Sequence, residues 1–228
     1  MVSETQTVKL FNGGSMEIER NGRHQYRVEN GDWKPSVTTM LGHLDAGAFG
    51  IGMNWALKMA RENDGDLEAP RRISKEAQEQ GTKLHEAIEA YINTREIDES
   101  NLAFTSWLKE FSTKTFLATE LFCYNPDLEY GGTIDAITNN ENGELEIWDW
   151  KTKENFDSYR SLTKDGAQLG AYASALRKMG SVLAPAYGYV AYIMRDGSGV
   201  HVDQVDLAKA EKLFLASRNV YTLLKENK

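Results

Sequence analysis

The strongest hydrophobic periodicity lies in residues 73–93, "ISKEAQEQGTKLHEAIEAYIN". Ala77, Gly81, Leu84, Ile88 and Ile92 recur there at helical spacing, and His85 falls on the same face. Residues 49–62 and 102–114 also read as helices, and residues 63–72 form a polar break. "PSVTTMLGHL" (35–44) predicts a short helix with the hydroxyl of Ser36 as its cap. Before it, residues 23–29 alternate weakly and run into Asn30-Gly31, a hairpin-turn signal. Beyond residue 115 the period changes. "FLATELFCY", "GTIDAIT" and "ELEIWDWKT" are short and strand-like, separated by turn residues. A helix at about 166–179, strands near 186–194 and 199–205, and a helix over 207–225 complete the pattern. Helices, a three-strand meander, a helix, two strands and a helix predict an α/β fold. Its centre is a mixed β-sheet with an antiparallel meander, flanked by helices. The expected organisation is one domain over 1–228, with a hairpin and helical extension over 1–72 and a core over 73–228.

Composition narrows the function classes. Hydrophobic residues at 41% and charged residues at 26% describe a globular chain rather than a disordered one. The apolar run "VLAPAYGYVAYIM" is too short to span a bilayer and is broken by Pro185 and Gly188. "MVSETQTVKLFNGG" has no basic segment followed by an apolar one, so the expectation is a cytoplasmic protein without membrane contact. With Cys123 alone, no internal disulfide and no cysteine cluster for zinc or iron–sulfur chemistry can form. The histidines at 24, 43, 85 and 201 lack the paired spacing of a zinc hydrolase. A formal charge of −8 opposes a globally basic surface coating nucleic acid, and leaves room for a local basic groove.

The candidate chemistry comes from strand register. If Glu141, Asn142 and Gly143 form a three-residue loop, with Gly143 in the left-handed position, 140 faces 144 and Asp135 faces Asp149. Lys151, two residues on, points to the same side as Asp149. A symmetric return of the preceding hairpin through "NPDLE" puts Glu120 opposite Asp135, unless Gly131-Gly132 host a bulge. Facing carboxylates repel, so the group persists with a cation between them or with one acid protonated. A divalent ion such as Mg²⁺ suits such an oxygen-donor site. On geometry alone an exposed ion-pair patch explains these residues equally well. His85 alone reads as a hydrogen-bonded core histidine, and Gln168 and Tyr172 as amphipathic packing.

Taken together, "GTKLHEAIEAY", "YGGTIDAI", "IWDWKT" and "QLGAYASAL" resemble the PD-(D/E)XK nuclease superfamily, in its RecB-like exonuclease branch. "PSVTTML" and "VAYIMRDGSGVHVDQVD" resemble a narrower group that contains the mitochondrial genome maintenance exonuclease and related phage and bacterial nucleases. The resemblance spans about residue 35 to the C-terminus. It implies a restriction-endonuclease-like core. It also implies hydrolysis of DNA phosphodiester bonds with Mg²⁺ (Mn²⁺ as a substitute), on single-stranded DNA with a free end. By position it implies that Asp135, Asp149, Glu120, His85 and the backbone carbonyl of Trp150 surround the metal, and that Lys151 is the catalytic lysine. Gln168 and Tyr172 would face the site or the nucleic acid, and Ser36 would contact a phosphate. The four-cysteine iron–sulfur cluster of some relatives has no ligands in this chain. In "KENFDSYRSLTKDG", Lys153 and Arg160 interleave with Phe156 and Tyr159, which suits a single strand or an ordinary solvated loop. A structure-specific or restriction-like endonuclease on the same core is the alternative. A silent nucleic-acid-binding module is disfavoured, because both acids and the lysine are present.

Overall fold

The structure is a computed structural model that describes residues 3–10, 12–47, 51–157 and 162–226. Five strands, β4 (Phe116–Asn125), β5 (Tyr130–Asn139), β6 (Leu145–Lys153), β7 (Tyr187–Met194) and β8 (Val200–Val205), form a sheet in that spatial order. Numbering starts from a separate three-stranded sheet made of β1 (Ser3–Lys9), β2 (Ser15–Asn21) and β3 (Tyr26–Val28). Neighbours in the larger sheet are antiparallel except β6 and β7, which are parallel. A parallel pair needs a crossover, and α5 (Leu162–Lys178) provides it. The remaining helices are α1 (Val37–Gly47), α2 (Ile51–Glu62), α3 (Ala69–Thr94), α4 (Leu102–Phe111) and α6 (Leu207–Glu226). This is the mixed sheet flanked by helices that the hydrophobic pattern predicts. Among the described residues no helix is long and apolar enough to cross a membrane.

The sheet separates two cores. On one face Ile147 and Val190 pack with Leu169, Ala173 and Leu176 of α5 and Phe214 of α6, and Cys123 is buried there too. On the other face Trp148 and Trp150 pack with Leu84 and Ile88 of α3 and with Phe104, Trp107 and Phe111 of α4. Alternation along β6 therefore sends Trp148 and Trp150 toward α3 and α4, while Ile147, Asp149 and Lys151 share the opposite face.

The structure departs from the sequence pattern at three points. β1 and β2 pair from Ser3↔Asn21 to Lys9↔Ser15, yet only Val8 and Ile18 of this hairpin are buried. A strand pair with one buried residue on each strand leaves little hydrophobic alternation to find. The Asn30-Gly31 turn is present, but it returns β3 to a single bridge at Lys34 rather than to a full strand. α3 begins at Ala69, inside the expected polar break, with Pro70 in its first turn, where a missing N–H costs nothing.

Candidate active site

The loop of residues 141–143 forms as expected: Asn140 N–H donates to the Glu144 carbonyl at 2.9 Å, and Gly143 has φ of 78°. The register that follows runs through Ala136↔Trp148, where the ladder ends. One residue further, Asp135 and Asp149 fall at opposed positions, but the strands part. There the Asp135 carboxylate takes over as acceptor, and its Oδ2 receives the Trp150 N–H at 2.7 Å. On the other side of β5 the pairs Thr119↔Ala136 and Leu121↔Ile134 bring Glu120 to the position facing Asp135. The irregularity in β4 lies between Phe116 and Ala118, not at Gly131-Gly132.

His85 closes the group from α3. Its Nε2 lies 3.1 Å from the Trp150 carbonyl, and its Nδ1 lies 3.5 Å from Glu120 Oε1 and 3.7 Å from Asp135 Oδ1. One ligand atom each from His85, Glu120 and Asp135 fit within 4.8 Å of one another. Asp149 stands outside that trio and is turned toward Lys151. The Lys151 ammonium is 2.7 Å from both carboxylate oxygens, with hydrogen-bond geometry only at Oδ1. Gln168 of α5 joins them: Nε2 reaches Asp149 Oδ1 at 3.0 Å and the Tyr172 hydroxyl at 3.0 Å, while Oε1 is 3.5 Å from the lysine. The approach of Tyr172 depends on Gly132, where an added Cβ would sit 2.2 Å from a ring carbon.

Two further residues shape this side of the site and were not singled out in the sequence. Asp165 is buried on α5, three residues before Gln168, and accepts a 2.9 Å hydrogen bond from the hydroxyl of Tyr192. Tyr192 is the residue of β7 paired with Lys151. The spacing of 165, 168 and 172 along one helical face was the available signal.

Electrostatics follow from burial. Asp149 is 1% exposed, and desolvation raises its pKa to about 7. Lys151 opposes that rise, and Asp135 and Asp165 add to it. Burial alone would lower the pKa of His85, yet Asp135 and Glu120 outweigh it and bring the value to about 9. Burial also works against the charge on Lys151, and Asp149, Asp135 and Asp165 reverse it, so the pKa is raised. Glu120 is raised by burial and by the neighbouring Asp135, against the pull of His85. The imidazolium of His85 is thus the chain's own counter-charge to Glu120 and Asp135. The donor set fits a hard divalent cation: carboxylate oxygens, a backbone carbonyl, one imidazole, and a buried Asp149 Oδ2 that lacks a hydrogen-bond donor.

The other candidate binding residues divide. Lys153 follows Lys151 on the same strand face, with its ammonium 5.4 Å from the centre of the Tyr192 ring. Ser36 is buried, and its hydroxyl caps α1, accepting the Thr39 N–H at 3.1 Å and contacting the hydroxyls of Thr38 and Thr39. Arg160 lies outside the described residues, as does Tyr159.

No curated protein matches the chain. Among solved structures, that of SSO0001 overlaps loosely. The likeness covers 65% of this chain and 69% of that one, at 21% identity and a TM-score of 0.33. A family model of PD-(D/E)XK nucleases matches residues 56–224. That span holds α3 with His85, the meander with Glu120, Asp135, Asp149 and Lys151, and α5 with Gln168, and by it the chain belongs to the PD-(D/E)XK nuclease superfamily.

Proposed function

We propose that the protein is a divalent-metal-dependent exonuclease that hydrolyses phosphodiester bonds at the ends of single-stranded DNA, in the manner of the RecB-like branch. The observation that carries this reading is the meeting of His85, Glu120 and Asp135 within 4.8 Å, beside the buried Asp149 paired with the half-buried Lys151. Asp135, Glu120, Asp149, His85 and the carbonyl of Trp150 would hold Mg²⁺, or Mn²⁺ in its place. The ion, when bound, makes water more acidic and offsets charge on the phosphate.

The remaining work falls to the chain's own groups. Lys151 keeps its proton and donates hydrogen bonds to a phosphate oxygen as negative charge grows there. Asp149 and Gln168 fix that ammonium, and Tyr192 and Asp165 fix the strand and helix on which these groups ride. In the overall reaction the oxygen of water bonds to phosphorus and gives up a proton. The P–O bond to the departing sugar oxygen breaks, and that oxygen takes up a proton. Lys153, and Phe156 at 44% exposure, offer a cation and a ring to an approaching strand. The preference for free single-stranded ends rests on the likeness of "PSVTTML" and "VAYIMRDGSGVHVDQVD" to the narrower exonuclease group, and DNA end processing in replication or recombination is the matching role.

Digestion of end-labelled single- and double-stranded DNA with Mg²⁺, beside a covalently closed single-stranded circle, tests the reading. The expected result is loss of the linear single strand, a slower loss of duplex and an intact circle. A cleaved circle would establish an endonuclease on this core, and no cleavage of any DNA would overturn the reading.

A further inference from the structure

β4 is an edge strand of the five-stranded sheet, so among the described residues the main-chain groups on its outer side have no strand to pair with. At Glu120 the strand is also distorted. This residue has φ of 47°, between ladder pairs that continue normally on either side. A residue with a Cβ in the left-handed region is disfavoured by its clash with the following carbonyl. It persists where the surroundings over-determine it, and such positions cluster at functional sites.

Here the main chain on both sides of residue 121 is held by one side chain of the small sheet. Gln6 of β1 donates from Nε2 to the Glu120 carbonyl at 2.8 Å and accepts at Oε1 from the Phe122 N–H at 2.8 Å. Its carboxamide takes the place that a peptide group of a sixth strand would occupy, on both sides of residue 121. Gln6 is itself anchored. It pairs with the buried Ile18 of β2. The same small sheet is tied to β5 through Thr133, which bonds the Tyr26 hydroxyl at 2.8 Å and Arg20 at 3.1 Å. With its main chain so held, Glu120 presents its carboxylate to His85 and Asp135. Gln6 precedes the span matched by the family model, so this brace comes from outside the shared core.

We infer that Gln6 is a positioning residue for Glu120: its two hydrogen bonds hold the left-handed turn of β4 that aims this carboxylate into the site, and thereby set the affinity for a divalent ion. The inference rests on the metal-site reading above.

Calorimetric titration of Mn²⁺ into the full chain tests it, using wild type, Gln6→Met, Gln6→Ala, Glu120→Gln and the double variants. Gln6→Met keeps the length of the side chain and removes both hydrogen bonds, so it serves if the shorter alanine unfolds the N-terminal sheet. The expected loss of Mn²⁺ affinity is about tenfold or more, the size seen when partners that orient metal ligands are removed. In the Glu120→Gln background the same change should cost nothing further, whereas a general loss of stability would weaken both backgrounds alike. Unchanged affinity in Gln6→Met, or equal weakening in both backgrounds, overturns the inference alone. A wild-type protein that binds no Mn²⁺ overturns the metal-site reading and the inference with it.

Discussion

Asp149 is held away from its usual ionisation chiefly by burial and His85 by the carboxylates of Asp135 and Glu120, and this has measurable consequences. Asp149 lies at about 7 against an ordinary 3.8, and His85 at about 9 against 6.5. Both are raised. Their contribution to the stability of the metal-free protein is complete below the ordinary values and is lost as pH rises through 7 and then 9. The melting temperature of metal-free protein should therefore fall between about pH 4 and about pH 9, and His85→Gln should flatten the part of that fall above about pH 6.5. Mn²⁺ affinity should rise across the same window, because the donors must shed protons to bind a cation. Affinity that falls as pH rises would contradict this ligand set. Asp149→Asn and Lys151→Ala should each lower the cleavage rate by about 10²-fold or more with the far-ultraviolet circular dichroism unchanged. Full activity in either variant would count against the assigned roles. Asp135, Asp149 and Lys151 were readable in the sequence because strand alternation and the Gly143 turn fix register, and Glu120 because the preceding hairpin returns symmetrically through residues 125–129. Asp165 and Gln6 were not. Each acts through a partner distant in sequence, Tyr192 for one and the main chain of β4 for the other; Asp165 shares a helical face with Gln168 and Tyr172, and Gln6 sits in no such pattern.

At the scale of elements, the site depends on how closely helix α5 and strand β5 approach. Gly132 permits the ring of Tyr172 to lie where a side chain would otherwise be, and Tyr172 in turn bonds Gln168. Gly132→Ala should cost about 1–3 kcal/mol in urea unfolding, the usual price of forcing extra volume into a packed core. It should also slow cleavage by loosening Gln168 from Asp149. Unchanged stability would show that the ring can shift freely. The elements of the core were readable almost throughout, because helical and strand periods differ plainly from α3 onward. The β1–β2 hairpin was not: with only Val8 and Ile18 buried, most of its positions are polar or exposed, and tertiary contact rather than local pattern defines it. Where α3 and α5 begin was also set by context. Both start four residues earlier than their periodic stretches, in segments whose remaining residues carry no apolar period.

At the scale of the whole molecule, a chain of net charge −8 must hold a polyanion through a few placed cations rather than through its overall field. Few phosphate contacts mean a shallow dependence of binding on salt. Lys153→Ala should reduce the slope of log affinity against log salt by about 0.7, the value for one contact to a single strand, and raise KM more than it lowers kcat. An unchanged slope in a filter-binding series would remove Lys153 from the strand path. The central claim is that helix α3 and the meander bring His85, Glu120 and Asp135 around one shared divalent ion. Anomalous diffraction from crystals soaked in Mn²⁺ tests that most directly. The expected result is a peak bound by Asp135 and Glu120 beside the Trp150 carbonyl. A map with no peak there, or with manganese held only by other residues, would contradict it.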